Sequence, residues 1–256
     1  MDDFSELSGA ALVIGGSGGI GRTVVRLLAQ RGSNVALTWR EGREAADGLS
    51  NEVSSYGARV SVHQLDATDP DACAALVSEV VERHGGLHTL VHAAGPHVPM
   101  VHLSNVDPAA MTEQLGVDAG AFFNVVRPAL PALREAEGSI VAVTTAATAR
   151  FPVRDALSSA PKAALEAMVR ALAVEEGRYG VRANCVGPGM LKDGMAERLI
   201  ASGELDEHAL EVTKGNIPMR RFGIAHDIAE AVCFLASYRA GFISGQKLDV
   251  DGGWGA

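Results

Sequence analysis

Short runs of apolar residues alternate along the chain with longer stretches in which apolar positions recur at helical spacing. Residues 10–14, 34–39, 59–65, 87–93, 139–144, 182–186 and 247–250 read as strands. Residues 21–31, 41–56, 70–84, 108–115, 119–135, 159–176 and 225–237 read as helices. The central strands are continuous Val/Ile/Leu/Ala runs, the composition of strands buried on both faces. Strand–helix alternation predicts right-handed crossovers and a doubly wound parallel sheet with helices on both faces, an α/β fold of the Rossmann type. No linker, charge block or repeat interrupts residues 1–256, so a single domain is expected. Residues 190–215 are the one long segment without a predicted strand, and read either as a lid over a site or as a surface excursion.

Composition narrows the function. The 256 residues are 47% hydrophobic but only 5% aromatic, which suits close packing of helices on a sheet. A net charge of −9, with no Lys/Arg-rich run, argues against a nucleic-acid or anionic-membrane surface. Cys73, Cys185 and Cys233 are odd in number and far apart, which suggests neither a disulfide framework nor a zinc pair. Residues 1–9 are acidic and polar, so no signal peptide is expected. No uncharged apolar stretch reaches the roughly eighteen residues of a membrane span. A cytoplasmic globular protein is the expectation. His88 and His92 share a strand, and at about 3.3 Å per residue their backbones lie roughly 13 Å apart, too far to chelate one ion. No metal site is expected.

The densest chemical signal is Ile14-Gly15-Gly16-Ser17-Gly18-Gly19-Ile20-Gly21, between the first strand and the first helix. Glycine permits the tight turn and lets backbone N–H groups approach a pyrophosphate, and the helix N-terminus adds partial positive charge. Gly16, Gly18 and Gly21 fit the common dinucleotide spacing, whereas Gly15, Gly19 and Gly21 fit a looser one. NAD sites place a carboxylate at the end of the second strand. That strand ends Leu37-Thr38-Trp39-Arg40, and a guanidinium there suits a 2′-phosphate. Arg22 could add to it. NADP(H) is the expected cofactor, with NAD(H) the alternative if Glu41 supplies the carboxylate.

From Gly15 onward the order of motifs resembles the short-chain dehydrogenase/reductase family. The turn Gly15-xxx-Gly19-Ile20-Gly21 has that family's spacing. Asp66 matches its adenine-contacting acidic residue, and His92-Ala93-Ala94-Gly95 stands where it carries Asn-Ala-Gly. Asn184-Cys185-Val186-Gly187-Pro188-Gly189 resembles its Pro-Gly motif. Residues 217–223, Ser244-Gly245-Gln246 and Asp251-Gly252-Gly253 resemble its C-terminal third. The resemblance implies cofactor contacts from Gly15, Ser17, Gly18, Gly19, Ile20, Gly21, Arg40, Asp66, Ala93, Ala94, Gly95, Lys162, Pro188 and Gly189.

The resemblance breaks at the catalytic residues. The family uses Asn, Ser, Tyr and Lys: Tyr protonates the carbonyl, Lys lowers its pKa and binds ribose, and Ser orients the carbonyl. Lys162 matches, but the tyrosine position is Ser158, the serine position Thr145 and the asparagine position Asp118. No tyrosine lies between Tyr56 and Tyr179. A serine hydroxyl is a poor general acid near pH 7 unless it relays a proton. Ser158 reads either as such a relay or as a helix N-cap, with Pro161 in the first helical turn. His97, Asp155 and Lys162 are the candidate replacement donors, and water is a fourth source. Arg150 and Arg154 would suit an anionic small-molecule substrate if they face the cleft, and are otherwise solvent-facing.

The leading expectation is an NADP(H)-dependent oxidoreductase with an altered proton donor. A cofactor-binding sensor or partner that has lost catalysis is the alternative, and a non-redox lyase or isomerase the third. The resemblance also implies a homodimer or homotetramer formed through the helices at 119–135 and 159–176.

Overall fold

The computed structural model describes residues 2–96, 98–193 and 207–256, the side chains of 207–209 apart. Among these residues seven strands form one parallel sheet. They are β1 (Ala10–Ile14), β2 (Val35–Trp39), β3 (Val60–Gln64), β4 (Leu87–His92), β5 (Ser139–Val143), β6 (Arg182–Pro188) and β7 (Lys247–Val250). Their order is 3-2-1-4-5-6-7. β1 and β5 are buried along their whole length, whereas edge strand β3 alternates buried with half-buried or exposed positions. The apolar runs and the alternating run therefore fall where sheet position requires them.

The helices are α1 (Gly19–Gln30), α2 (Arg43–Ser54), α3 (Pro70–His84), α4 (Pro108–Leu115), α5 (Ala121–Glu135), α6 (Ala156–Glu176), α7 (Glu207–Gly215) and α8 (Ala225–Ala236). Neighbouring residues of one strand feed opposite cores, because side chains alternate across a sheet. Val13 packs with Val25, Leu37 and Ile228, under α1, α2 and α8. Leu12 packs with Val77, Phe122 and Leu165, under α3, α5 and α6. The doubly wound α/β architecture is thus the observed one.

Local chemistry sets the helix ends. Asp69 caps α3 by accepting from the N–H groups of Asp71 and Ala72, Pro70 follows it, and Gly85 ends the helix at φ 78°. α4 and α5 join through a π-helical turn at Gly116–Gly120. α6 starts earlier than the apolar pattern implies. The Asp155 carbonyl accepts from the N–H groups of both Ser158 and Ser159, so Ser158 lies inside the first turn and is not the N-cap. Pro161 consequently lies within the helix, past its first turn.

The sheet order reverses beside β1: its crossover leads outward to β2, and β4 lies on its other side. In open α/β sheets that reversal opens a crevice at the carboxyl ends of the strands. The candidate site lies there.

Candidate active site

The floor of the crevice is backbone. Gly15 has φ +75°, and a Cβ there would stand 2.8 Å from the Cα and N of Ala94. Ala93 donates its N–H to the Ile14 carbonyl at 2.9 Å. The turn after β1 and the turn after β4 therefore touch, and a side chain at residue 15 would part them. Gly21 makes a second such contact, because a Cβ there would overlap the Gly15 carbonyl. Gly19, by contrast, faces open space. The Gly15 N–H donates to Thr38 Oγ1 at 2.9 Å, so the end of β2 helps to hold the turn.

The N-terminus of α1 is electrostatically bare. Its N-cap is Gly18, without a side-chain cap, and its first turn carries no acidic residue. Helix geometry leaves the first N–H groups without intrahelical partners and gives this end partial positive charge. Open space beside Gly19 and unpartnered amides fit a dinucleotide pyrophosphate. Arg22 folds back over the turn, donating to the carbonyls of Ser17 and Gly18 at 3.0 and 3.3 Å. Arg40 remains exposed. Asp66 accepts from the N–H and hydroxyl of Thr68 at 3.0 and 2.7 Å, and these bonds, helped by the Arg40 charge, hold its carboxyl below the usual range. Arg40 and Asp66 thus face one rim of the crevice from β2 and β3.

The other side is built from side chains. Lys162, in α6, donates from Nζ to Asp118 Oδ1 at 2.8 Å. Both side chains are largely buried, at 11% and 4% exposure. The π-helical turn carries Asp118 inward, and its partner comes from 44 residues further along the chain. A Cβ on Gly95 would lie 3.3 Å from Lys162 Nζ, so the lysine sits directly against the turn after β4. His92, the last residue of β4, is fully buried and edge-on to Phe122, with ring centroids 5.4 Å apart. Burial, and secondarily the Lys162 charge, push its imidazole down to about 3, so it is neutral at pH 7.

Thr145 lies just beyond β5, where its hydroxyl oxygen accepts from the Ala147 N–H at 3.1 Å. Ser158 and Lys162 are four apart in α6 and share one helix face. Asp155, just before α6, has its carboxyl raised to about 6 by burial. Pro188 ends β6 in register with Val250, and Gly189 has Asp251 so close that no Cβ would fit. His97 and residues 194–206 lie outside the described residues. The described start of the 190–215 segment is tied down: Leu191 bridges to Gly223, and the Asp193 carboxylate accepts from the Ala225 N–H.

The three tyrosines lie elsewhere. Tyr56, Tyr179 and Tyr238 follow the carboxyl ends of α2, α6 and α8. Helices of a doubly wound fold run opposite to its strands, so these phenols lie at the far edge of the sheet. Arg150 engages the C-terminal segment, donating to the Trp254 carbonyl at 2.8 Å and stacking 5.1 Å above its ring. Arg154 is exposed, with φ 73°. Sequence reasoning missed the roles of Thr38 and of Trp254, which carry no motif. It also missed a linkage of Lys247, Thr148 and Glu166 that ties β7, the loop after β5 and α6 together.

Comparison with known proteins agrees with this fold. The family model described as Enoyl-(Acyl carrier protein) reductase matches residues 15–255. Versicolorin reductase stcU of Emericella nidulans is 34% identical, over 98% of this chain and 97% of its own length. The 3-oxoacyl-[acyl-carrier-protein] reductase FabG of Staphylococcus aureus is 32% identical, over 97% of this chain and 98% of its own. Among solved structures, a blue fluorescent protein from a metagenomic library in complex with NADPH superposes with a TM-score of 0.88. It is 28% identical, covering 98% of this chain and all of that one.

Proposed function

The chain belongs to the short-chain dehydrogenase/reductase family and is an NAD(P)-dependent oxidoreductase, and we propose that it uses NADP(H) to interconvert a carbonyl and an alcohol on a small organic substrate with a proton donor other than tyrosine. The observation that carries this reading is one crevice in which a bare helix N-terminus, the Gly15–Ala94 contact and the Lys162–Asp118 pair meet.

Bound there, the nicotinamide supplies a hydride donor or acceptor. The N–H groups of Gly19, Ile20 and Gly21 hold the pyrophosphate, with Ser17 and Gly18 beside it, the Gly18 N–H being bonded to the Gly15 carbonyl, and Gly15 keeps the floor low enough to admit it. Arg40 pairs with the 2′-phosphate and Asp66 meets the adenine. The backbone of Ala93, Ala94 and Gly95, together with Pro188 and Gly189, would contact the nicotinamide end of the cofactor. Lys162 binds ribose, and Asp118 fixes the lysine. Thr145 and Ser158 offer hydroxyls to the substrate oxygen. NADPH bound to a relative of the same fold supports the phosphorylated cofactor. Residues 1–256 form one domain; of the 190–215 segment, read as a lid or a surface excursion, residues 194–206 lie outside the described residues. Half-exposed Phe123 on α5 and exposed Val174 on α6 support a homo-oligomer through those helices.

The test is NADPH oxidation against a panel of ketones, aldehydes and acetoacetyl-CoA, the last chosen after the FabG relative. Turnover with NADPH well above that with NADH is expected. Binding of NADPH without turnover on any member would contradict the enzyme reading and favour a cofactor-binding sensor.

A further inference from the structure

β7 lies at one edge of the sheet, and its first residue is Lys247. The side chain turns inward against α6, at 16% exposure. An inward charge on an edge strand discourages pairing with another chain, and a lone cation would be enough for that. Lys247 is not alone. An ammonium carries three protons, and three side-chain oxygens surround Nζ: Thr148 Oγ1 at 2.5 Å, Asp249 Oδ1 at 3.0 Å and Glu166 Oε1 at 3.4 Å. Glu166 is at 10% exposure, so its carboxylate depends on this cation.

The partners belong to the segments on the substrate side. Sheet bonding stops one residue before Thr145, where Thr144 donates its N–H to the Val186 carbonyl at 2.8 Å. Beyond that point the turn at Ala146–Thr148 holds Thr145 from two sides. The Ala147 N–H donates to the Thr145 hydroxyl, and the Thr148 hydroxyl lies 3.2 Å from the Thr145 carbonyl oxygen. The same Thr148 hydroxyl donates to Glu166 Oε1 at 2.7 Å. A hydroxyl has one proton and two lone pairs. Here the proton is shared between Glu166 and the Thr145 carbonyl, and Lys247 fills a lone pair, so the hydroxyl is held against rotation. Glu166 follows Lys162 by four residues in α6, the spacing of one helix face, which also carries Ser158. One cluster therefore ties the Thr145 turn to the helix face of Ser158 and Lys162.

We propose that Lys247 and Glu166 are positioning residues for carbonyl reduction, which act through Thr148 to aim the Thr145 hydroxyl at the substrate's carbonyl oxygen. The inference rests on the oxidoreductase reading and names what orients one of its hydroxyls. Neither residue touches the substrate, and no proton or electron passes through them. Without Lys247 the Glu166 carboxylate is buried beside Thr148 with no cation, and the Thr148 hydroxyl turns fully toward it and away from the Thr145 carbonyl. The cofactor is held by the turn before α1 and by Lys162, so its affinity does not depend on the cluster.

The experiment follows acetoacetyl-CoA reduction by NADPH in the wild type, Lys247→Met, Lys247→Arg, Thr148→Val and Thr145→Val, and in Thr145→Val combined with Lys247→Met or Thr148→Val. Lys247→Met and Thr148→Val should each lower kcat between about 10- and 100-fold, the upper figure being the cost of a misplacement of roughly 1 Å, with NADPH affinity unchanged. Lys247→Arg keeps the cation and should recover most of kcat. In the Thr145→Val background, where the hydroxyl to be aimed is gone, both second substitutions should add almost no further loss, because residues that act as a unit are non-additive. Thr148→Val removes a hydroxyl and no charge, so it carries the test if Lys247→Met fails to fold. The amide resonance of Thr145 should move in Lys247→Met or Thr148→Val and return in Lys247→Arg, without any turnover being needed. The positioning role is overturned if the losses multiply with that of Thr145→Val or if the Thr145 resonance stays in place. It is equally overturned if Lys247→Met keeps kcat and only aggregates, which would leave the lysine a guard of the sheet edge. A wild type that binds NADPH but reduces no member of the carbonyl panel contradicts the enzyme reading itself, and the Thr145 resonance then decides whether the cluster holds the turn. Failure of the positioning role alone leaves the wild type active and the losses multiplicative.

Discussion

The two sides of the crevice are made of different material. Around β1 the site is backbone: Gly15 pressed on Ala94, Gly21 on the Gly15 carbonyl, and open amides at the start of α1. Around β4, β5 and α6 it is side chains: the Lys162–Asp118 pair, the hydroxyls of Thr145 and Ser158, and a desolvated carboxyl at Asp155. A backbone site is fixed by the path of the chain, and one added Cβ disturbs it. A side-chain site can exchange its groups while the fold stays intact. On the proposed reading the glycine turn keeps the family's pattern, whereas the catalytic positions at Ser158, Thr145 and Asp118 hold other residues.

The largest expected effect falls on the side-chain half. Lys162→Ala leaves Asp118 buried and unpaired, and should cost about 3–5 kcal/mol of stability in urea unfolding. Adding Asp118→Ala removes the stranded charge and should recover much of that loss. A single variant as stable as the wild type would show that the pair is not desolvated. Next comes the backbone half. Gly21→Val drives a side chain into the Gly15 carbonyl and should weaken NADPH about 100-fold, or about 2.8 kcal/mol by calorimetry. Arg40→Asp removes the charge-assisted bonds to the 2′-phosphate, worth about 1.5–3 kcal/mol. It should bring NADPH down to or below NADH in affinity; a retained NADPH preference would assign the phosphate to another residue.

A gentler lever acts on the whole fold. Burial holds the imidazoles of His84 and His88 at about 4 and that of His92 at about 3. All three bind protons more readily in the unfolded chain. Their contribution is complete above about pH 6.5 and is lost as pH falls toward about 4, with a slope of about 1.4 kcal/mol per pH unit for each histidine at most. Urea midpoints measured between neutral and mildly acid pH should fall accordingly. A flat profile would mean that these rings stay accessible to protons in the fold.

Most of the fold was legible because its signals are local. Apolar runs mark the strands, and Asp69-Pro70 with Gly85 brackets α3. The start of α6 was misplaced because a backbone bond at Asp155, not a side-chain cap, sets it. The glycine turn was legible for the same reason as the strands: its conformation leaves a residue-type signature. Pairings across the chain leave none. The Lys162–Asp118 contact, the hold of Thr38 on Gly15 and the capture of Arg150 by Trp254 arise from packing. The family resemblance put Lys162 and Asp118 in one site but did not show that they bond. Burial of the Asp155 carboxyl is likewise a property of the folded loop.

The most direct test of the cofactor half is calorimetric titration of the purified protein with NADPH and, separately, with NADH. Tight NADPH binding with NADH at least about tenfold weaker, a difference of about 1.4 kcal/mol, is the predicted result. Binding of neither would contradict the account and leave the glycine turn a packing feature.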